Sequence, residues 1–82
     1  MRMKRYYLIE VDSWSDITKI KEYKTKREVI TAMENRYVAT ILDNDSYCDE
    51  ETFISDHYAQ WSNGYRTIEY RIAELESPPI DK

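Results

Sequence analysis

The sequence predicts an α+β fold, a mainly antiparallel sheet with two helices on one face in the order β-β-α-(β)-α-β. Three features predict it. Two aromatic and β-branched runs open the chain on either side of a polar five-residue gap, as a hairpin would. A capping-box pair then precedes apolar residues at helical spacing. The final third returns to alternating apolar and polar residues, the period of a half-buried strand. A length of 82 residues leaves room for one domain, expected over 1–76, and a short proline-containing tail over 77–82. A chain of this size buries roughly 60–65% of its unfolded surface, so its stability margin is modest. With 41% hydrophobic and 34% charged residues, the composition is that of a folded domain.

Arg5 to Val11 reads as the first strand, ended by the polar cluster Asp12-Ser13-Trp14-Ser15-Asp16. Ile17 to Tyr23 reads as the second. It carries Lys19 and Lys21 on one face, in the manner of an edge strand guarded against pairing with another chain. Thr25 and Glu28 have the spacing of a capping box, in which each side chain accepts the other residue's backbone N–H. Val29, Ile30, Met33 and Tyr37 then fall on one side of a helix. Tyr37 to Leu42 is read as a strand, being β-branched and followed by the turn-like Asp43-Asn44-Asp45-Ser46. The alternative continues the first helix, with Ile41 stacked beneath Tyr37.

A second helix is expected over Glu50 to Trp61, where Phe53, His57 and Trp61 are spaced four residues apart. Asp49 would be its N-cap, Glu50 and Glu51 would complement the helix dipole, and Gly64 would supply the left-handed residue at its end. Phe53 and His57 are accordingly expected in the core. Tyr65 to Leu75 is the last strand, with Ile68, Tyr70 and Ile72 alternating against Thr67, Glu69 and Arg71.

Charge is divided along the chain. Residues 1–40 carry nine Lys or Arg against six Asp or Glu, a balance of +3, while residues 41–82 carry three against ten, a balance of −7. Asp43, Asp45, Asp49, Glu50, Glu51 and Asp56 fall within 14 positions that contain no basic residue. A solvated patch of this kind steers partners of opposite charge. Catalytic signatures do not accompany it. His57, the only histidine, reads as a packed core residue. Cys48, the only cysteine, has no disulfide partner and reads as small buried or half-buried filler, which fits a reducing cytoplasm. One glycine leaves no material for a glycine-rich phosphate loop. An EF-hand register begun at Asp43 fails where Cys48 replaces the required glycine and again where Ile54 replaces the bidentate glutamate. No metal and no cofactor is expected, and the chain reads as a non-enzyme. The apolar run before Glu10 is too short for a signal-peptide core or a membrane span, so a cytoplasmic protein is expected.

Two binding readings follow. Tyrosine supplies 8 of 82 residues, and tyrosine is favoured at interfaces because it buries a rigid ring at small entropic cost. Trp14, in the middle of a polar loop, is either folded back on the sheet edge or an exposed anchor for a partner's pocket. The leading expectation is a protein-binding module, an inhibitor or modulator. It would dock Trp14, Asp43, Asp45, Tyr47, Asp49, Glu50 and Glu51 on a larger protein with a basic surface. Where that surface binds nucleic acid, the carboxylates would imitate phosphates. In composition, though in no single motif, the chain resembles small phage accessory proteins that bind and disable a host factor. The alternative is a small nucleic-acid-binding regulator that uses Arg5, Lys19, Lys21, Tyr23 and Lys24 as a basic stacking platform. A net charge of −4 weighs against it, since the acidic half repels phosphates.

Overall fold

Two long strands, β1 (Met3–Asp12) and β5 (Thr67–Ser77), pair antiparallel from Met3 opposite Ser77 to Asp12 opposite Ile68. The computed structural model describes residues 3–44 and 46–77, and the tail expected beyond Ser77 lies outside them. β2 (Lys19–Tyr23) folds back on β1, with Glu10 opposite Lys19 and Tyr6 opposite Tyr23. β4 (Tyr58–Ser62) pairs with the other side of β5, and the two-residue β3 (Phe53–Ile54) pairs with β4. The sheet therefore has five antiparallel strands in the order β2-β1-β5-β4-β3. One helix, α1 (Lys26–Asp43), packs on one face. No helix among the described residues is long and apolar enough to cross a membrane.

The pleat decides what each strand buries. Leu8 of β1, Ile68 and Tyr70 of β5, and Ala59 and Trp61 of β4 share the face beneath α1, where they meet Val29 and Met33. Tyr6, Tyr23, Ile30, Tyr37, Ile41 and Ile72 pack around this core, half buried. Inside it, Thr40 donates its hydroxyl proton to the carbonyl of Arg36 at 2.8 Å, so the Tyr70 phenol, 2.6 Å from Thr40 Oγ1, is the donor to that oxygen. The bond satisfies a phenol that burial would otherwise leave costly. Trp61 is less well served. Its indole N–H has no partner among the described residues, an omission that costs about 1–3 kcal/mol.

The start of α1 agrees with the sequence. Thr25 Oγ1 accepts the Glu28 N–H at 3.1 Å, and Glu28 Oε1 accepts the Thr25 N–H at 3.2 Å. Its end does not. The strand expected over Tyr37–Leu42 is the last part of α1, which runs on to Asp43. Met33, Tyr37, Thr40 and Ile41 repeat at helical spacing on the sheet-facing side, and their packing outweighs the weak helix propensity of the β-branched residues. Asn44 then closes the helix, its side-chain amide donating to the carbonyl of Thr40 at 2.6 Å.

The expected second helix does not form. Residues 49–62 make a single 3₁₀ turn (Asp49–Glu51), then β3 and β4. The four-residue spacing of Phe53, His57 and Trp61 has no counterpart in the fold, and within β4 the period is two, with Ala59 and Trp61 inward and Tyr58 and Gln60 outward. Phe53 lies on the sheet's opposite face, 45% exposed, and His57 is exposed in the turn between β3 and β4, so neither is a core residue. Asp49 belongs to the 3₁₀ turn and caps no α-helix. Gly64, at φ 91°, serves the β4–β5 hairpin loop, and no helix ends there. The architecture is α+β with one helix.

Two stability measurements check this assignment. Thr25→Ala should lower the unfolding free energy by about 1 kcal/mol, the usual worth of a helix cap. Trp61→Ala should cost about 3–5 kcal/mol, as for a fully buried aromatic, and Phe53→Ala less than half as much. Equal losses at the two aromatic positions in a denaturant titration would contradict the strand assignment of β3 and β4.

Candidate functional site

Antiparallel pairing brings three segments to one end of the sheet: the β1–β2 loop, the β4–β5 loop and the C-terminal end of α1. The β1–β2 loop is built on Asp12. Its Oδ1 accepts the backbone N–H of Trp14 at 3.0 Å, an Asx turn that fixes the loop's first bend. Ser13 ties this loop to β5, donating its N–H to the Thr67 carbonyl at 2.8 Å and accepting the Thr67 N–H on its hydroxyl at 2.9 Å. Asn63 does the same work for the β4–β5 loop, accepting the N–H groups of Tyr65 and Arg66 at 2.9 and 2.8 Å. Gly64 supplies the left-handed residue, and a Cβ there would stand 3.5 Å from Cys48 Sγ.

Arg66 joins the two loops. Its guanidinium grips the Asp12 carboxylate with two N–H donors, Nε at 3.0 Å from Oδ1. The same group lies over the Trp14 ring, 4.9 Å from its centroid. Trp14 is thus neither folded into the sheet nor free: it rests on Arg66 and remains 67% exposed. The Arg66 hydrogen bonds hold the Asp12 carboxyl below the usual carboxylate range, against the opposing effect of burial. Asp43 and Asn44, at the end of α1, line a polar concavity of about 370 Å³ together with Asp12, Lys19, Arg36 and Arg66.

The acidic segment continues from there and is stitched to β4. Cys48 donates its N–H to the Ser62 carbonyl at 2.8 Å, and Ser62 Oγ donates to Glu51 Oε1 at 2.8 Å. Asp49, Glu50 and Glu51 are all exposed. Tyr47, also exposed, stands near Tyr37, whose phenol is pushed up by burial and secondarily by this neighbour. The site residues expected from the sequence therefore gather: Trp14, Asp43, Tyr47, Asp49, Glu50 and Glu51 lie in the segments that meet at this end. Asp45 lies outside the described residues. Ile17, Leu42 and Tyr65, which the sequence reading did not single out, project there as well, 71%, 78% and 88% exposed.

The basic residues considered for nucleic acid are divided between two faces. Lys19, Lys21 and Tyr23 stand on the α1 side of β2, with Lys21 over the Tyr23 ring at 5.5 Å. Arg5 stands on the opposite face, paired with Glu22. Lys24 is exposed just beyond β2. Cys48 and His57 sit at opposite ends of β4, roughly 15 Å apart at the rise of a strand, too far for a thiol–imidazole pair. Among the described residues, no three His, Cys, Asp or Glu side chains are grouped to hold a metal ion.

Asp12 gives this end an acid-labile brace. Its folded pKa lies below the unfolded value, so its contribution is complete above about pH 4–5 and fades as pH falls through the folded pKa. Glu69 behaves likewise, lowered first by the Tyr58 hydrogen bond and then by Arg71. Asp12→Asn should be less stable than the parent at pH 7, and the difference should shrink in urea titrations as pH approaches 2. A constant difference across that range would mean that the Arg66 pairing contributes nothing to stability.

Comparison of the chain with protein-family models, with curated proteins and with solved structures gave no significant match in any of the three.

Proposed function

We propose that this protein is a non-enzymatic binding module that docks its acidic, aromatic end on a larger protein with a basic surface and thereby inhibits or modulates it. One observation carries the reading: segments distant in sequence bring Trp14 and the acidic residues Asp43, Asp49, Glu50 and Glu51 to the same end of the fold. Exposed Trp14, Ile17, Leu42 and Tyr65 supply apolar area of the kind that marks an interaction surface. The carboxylates around them supply orientation and a fast encounter. Trp14 suits an anchor because Arg66 already holds its ring, so little side-chain freedom is lost on binding. A basic partner surface of this sort is often a nucleic-acid site, in which case the carboxylates take phosphate positions. The setting we infer is the cytoplasm, where Cys48 stays reduced.

The test begins with capture of the partner from lysate of the cell in which the protein acts, with and without nuclease. A stoichiometric protein that survives nuclease supports the reading, and recovery of nucleic acid alone sinks it. With the partner in hand, neutralising Asp43, Asp49, Glu50 and Glu51 together should slow association and flatten its salt dependence. Trp14→Ala should instead speed dissociation, at a cost of about 2 kcal/mol or more. Unchanged kinetics in both variants would place the interface elsewhere.

A further inference from the structure

We propose that the free edge of β2 binds an extended acidic peptide segment of a partner protein as an added strand, whose side chains on the α1 face stand beside the mouth of the groove between β2 and α1. This inference does not rest on the function proposed for the acidic end. The residues buried beneath α1 come from β1, β5 and β4, whereas four of the five β2 residues are exposed. The gap is a groove of about 320 Å³, floored by Leu8 and Glu10 and walled by Lys19, Lys21, Tyr23 and Arg36. Beyond Tyr23 a second concavity of about 450 Å³ continues along α1 past Arg27. β2 is an edge strand, so its outward backbone N–H and C=O groups face no further strand among the described residues. A peptide taking those groups as partners would lie about 4.8 Å from β2 as a sixth strand, with its side chains on the α1 face beside Lys19, Lys21 and Tyr23 at the mouth of the groove.

The side chains of the groove select for carboxylates. Lys19 and Lys21 stand on one face two residues apart, the interval at which an extended peptide repeats its own side chains on one side. Acidic residues at alternate positions would meet both ammonium groups. The acids already in the groove are engaged: Glu10 pairs with Arg36 at 3.5 Å, and Glu28 accepts the N–H of Thr25 in the capping box. The Tyr23 ring, between the two concavities, offers a contact for an apolar residue at the next alternate position. Single-stranded nucleic acid fits this groove less well, since it offers one aromatic ring and places Glu10 on its floor. Pairing of β2 with β2 of a second copy would set lysines against lysines.

Fluorescence anisotropy with three labelled probes tests the proposal. They are a short peptide with glutamate at alternate positions, a peptide of the same composition with its glutamates in one block, and a single-stranded oligonucleotide of equal charge. The alternating peptide should bind about tenfold more tightly than either control, and less so as salt is raised. The double variant Lys19→Glu, Lys21→Glu should weaken it by at least about tenfold, and Lys19→Ala, Lys21→Ala should do so to a smaller degree if the reversal disturbs folding. Asp56→Asn, in the exposed β3–β4 turn at the far edge of the sheet, should leave it unchanged. N-methylation of alternate peptide amides on one edge should weaken binding, and on the other edge should not. Amide shifts on titration should fall in residues 19–23 and along α1. Equal binding of the block peptide, tighter binding of the oligonucleotide, shifts confined elsewhere, self-association through β2, or no binding at all would each overturn the proposal.

Discussion

The pairing of β1 with β5 is the constraint on which the rest of the structure depends. The two strands come from opposite ends of the described chain and align along their whole lengths. Everything between them must be closed into a loop before this pairing forms, and the entropic cost of closure grows only slowly with loop length. Its geometric consequence is direct. β1 ends where β5 begins, so the β1–β2 and β4–β5 loops emerge at the same end of the sheet. α1 enters after β2 at the opposite end and, at 18 residues, is long enough to return to that end. The gathering of Trp14, Arg66 and Asp43 follows from strand direction, and no dedicated contact between the acidic segment and Trp14 is required.

Register is held by polar pins set along this framework. A slip of one residue between β1 and β5 would turn Leu8, Ile68 and Tyr70 away from α1. The Asp12–Arg66 fork and the paired bonds of Ser13 with Thr67 fix the end where the loops meet. The Tyr70–Thr40 bond fixes α1 against the middle of the sheet. On the outer face, the Tyr58 hydroxyl donates to Glu69 at 2.7 Å while Arg71 lies over the Tyr58 ring at 5.4 Å. Burial first and this hydrogen bond second push the Tyr58 phenol up to about 12. All of these pins but the last, which closes the β4–β5 hairpin, join elements distant in sequence, which helps a small core to hold an elongated sheet.

The strands were legible where alternation was long. Arg5–Val11, Ile17–Tyr23 and Tyr65–Leu75 each contain the observed strand in large part, and the capping box of Thr25 and Glu28 marked the true start of the helix. Two short apolar runs misled. Tyr37–Leu42 is β-branched, but its helical fate is decided by contacts with a sheet whose last strand lies far ahead in the sequence. In Phe53–Trp61 the four-residue spacing is accidental, since a turn separates two strands and leaves Phe53 and Trp61 on opposite faces of the sheet. The discriminating signal was present: Asn63-Gly64 between alternating segments is a hairpin signature, and reading it as a helix terminus turned β4 into a helix. The role of Arg66 was hidden because its two partners, Asp12 and Trp14, lie more than fifty residues away.

Most of the charges at the ends of the helix run against its own dipole, Glu28 of the capping box being the exception in the first turn. Lys26 and Arg27 stand at its positive N-terminal end, where acidic residues would be stabilising, and Lys24 lies just before it. Asp43 stands at the negative C-terminal end, with no basic residue in the last turn. Each misplaced charge forgoes roughly 0.3–1 kcal/mol that the opposite sign would have contributed. A domain with a modest stability margin gains nothing from this arrangement in the folded state alone. The backbone dipole and the side-chain charges do add in the same sense along the helix axis, negative towards the loops that hold Trp14 and positive towards the start of α1. A dipole of this kind would orient the molecule near any charged surface, because the torque on it acts before contact is made. These departures from local helix rules strengthen one long-range field, and they fall at the two ends of α1, towards the exposed Trp14 at one and the half-exposed Tyr23 at the other.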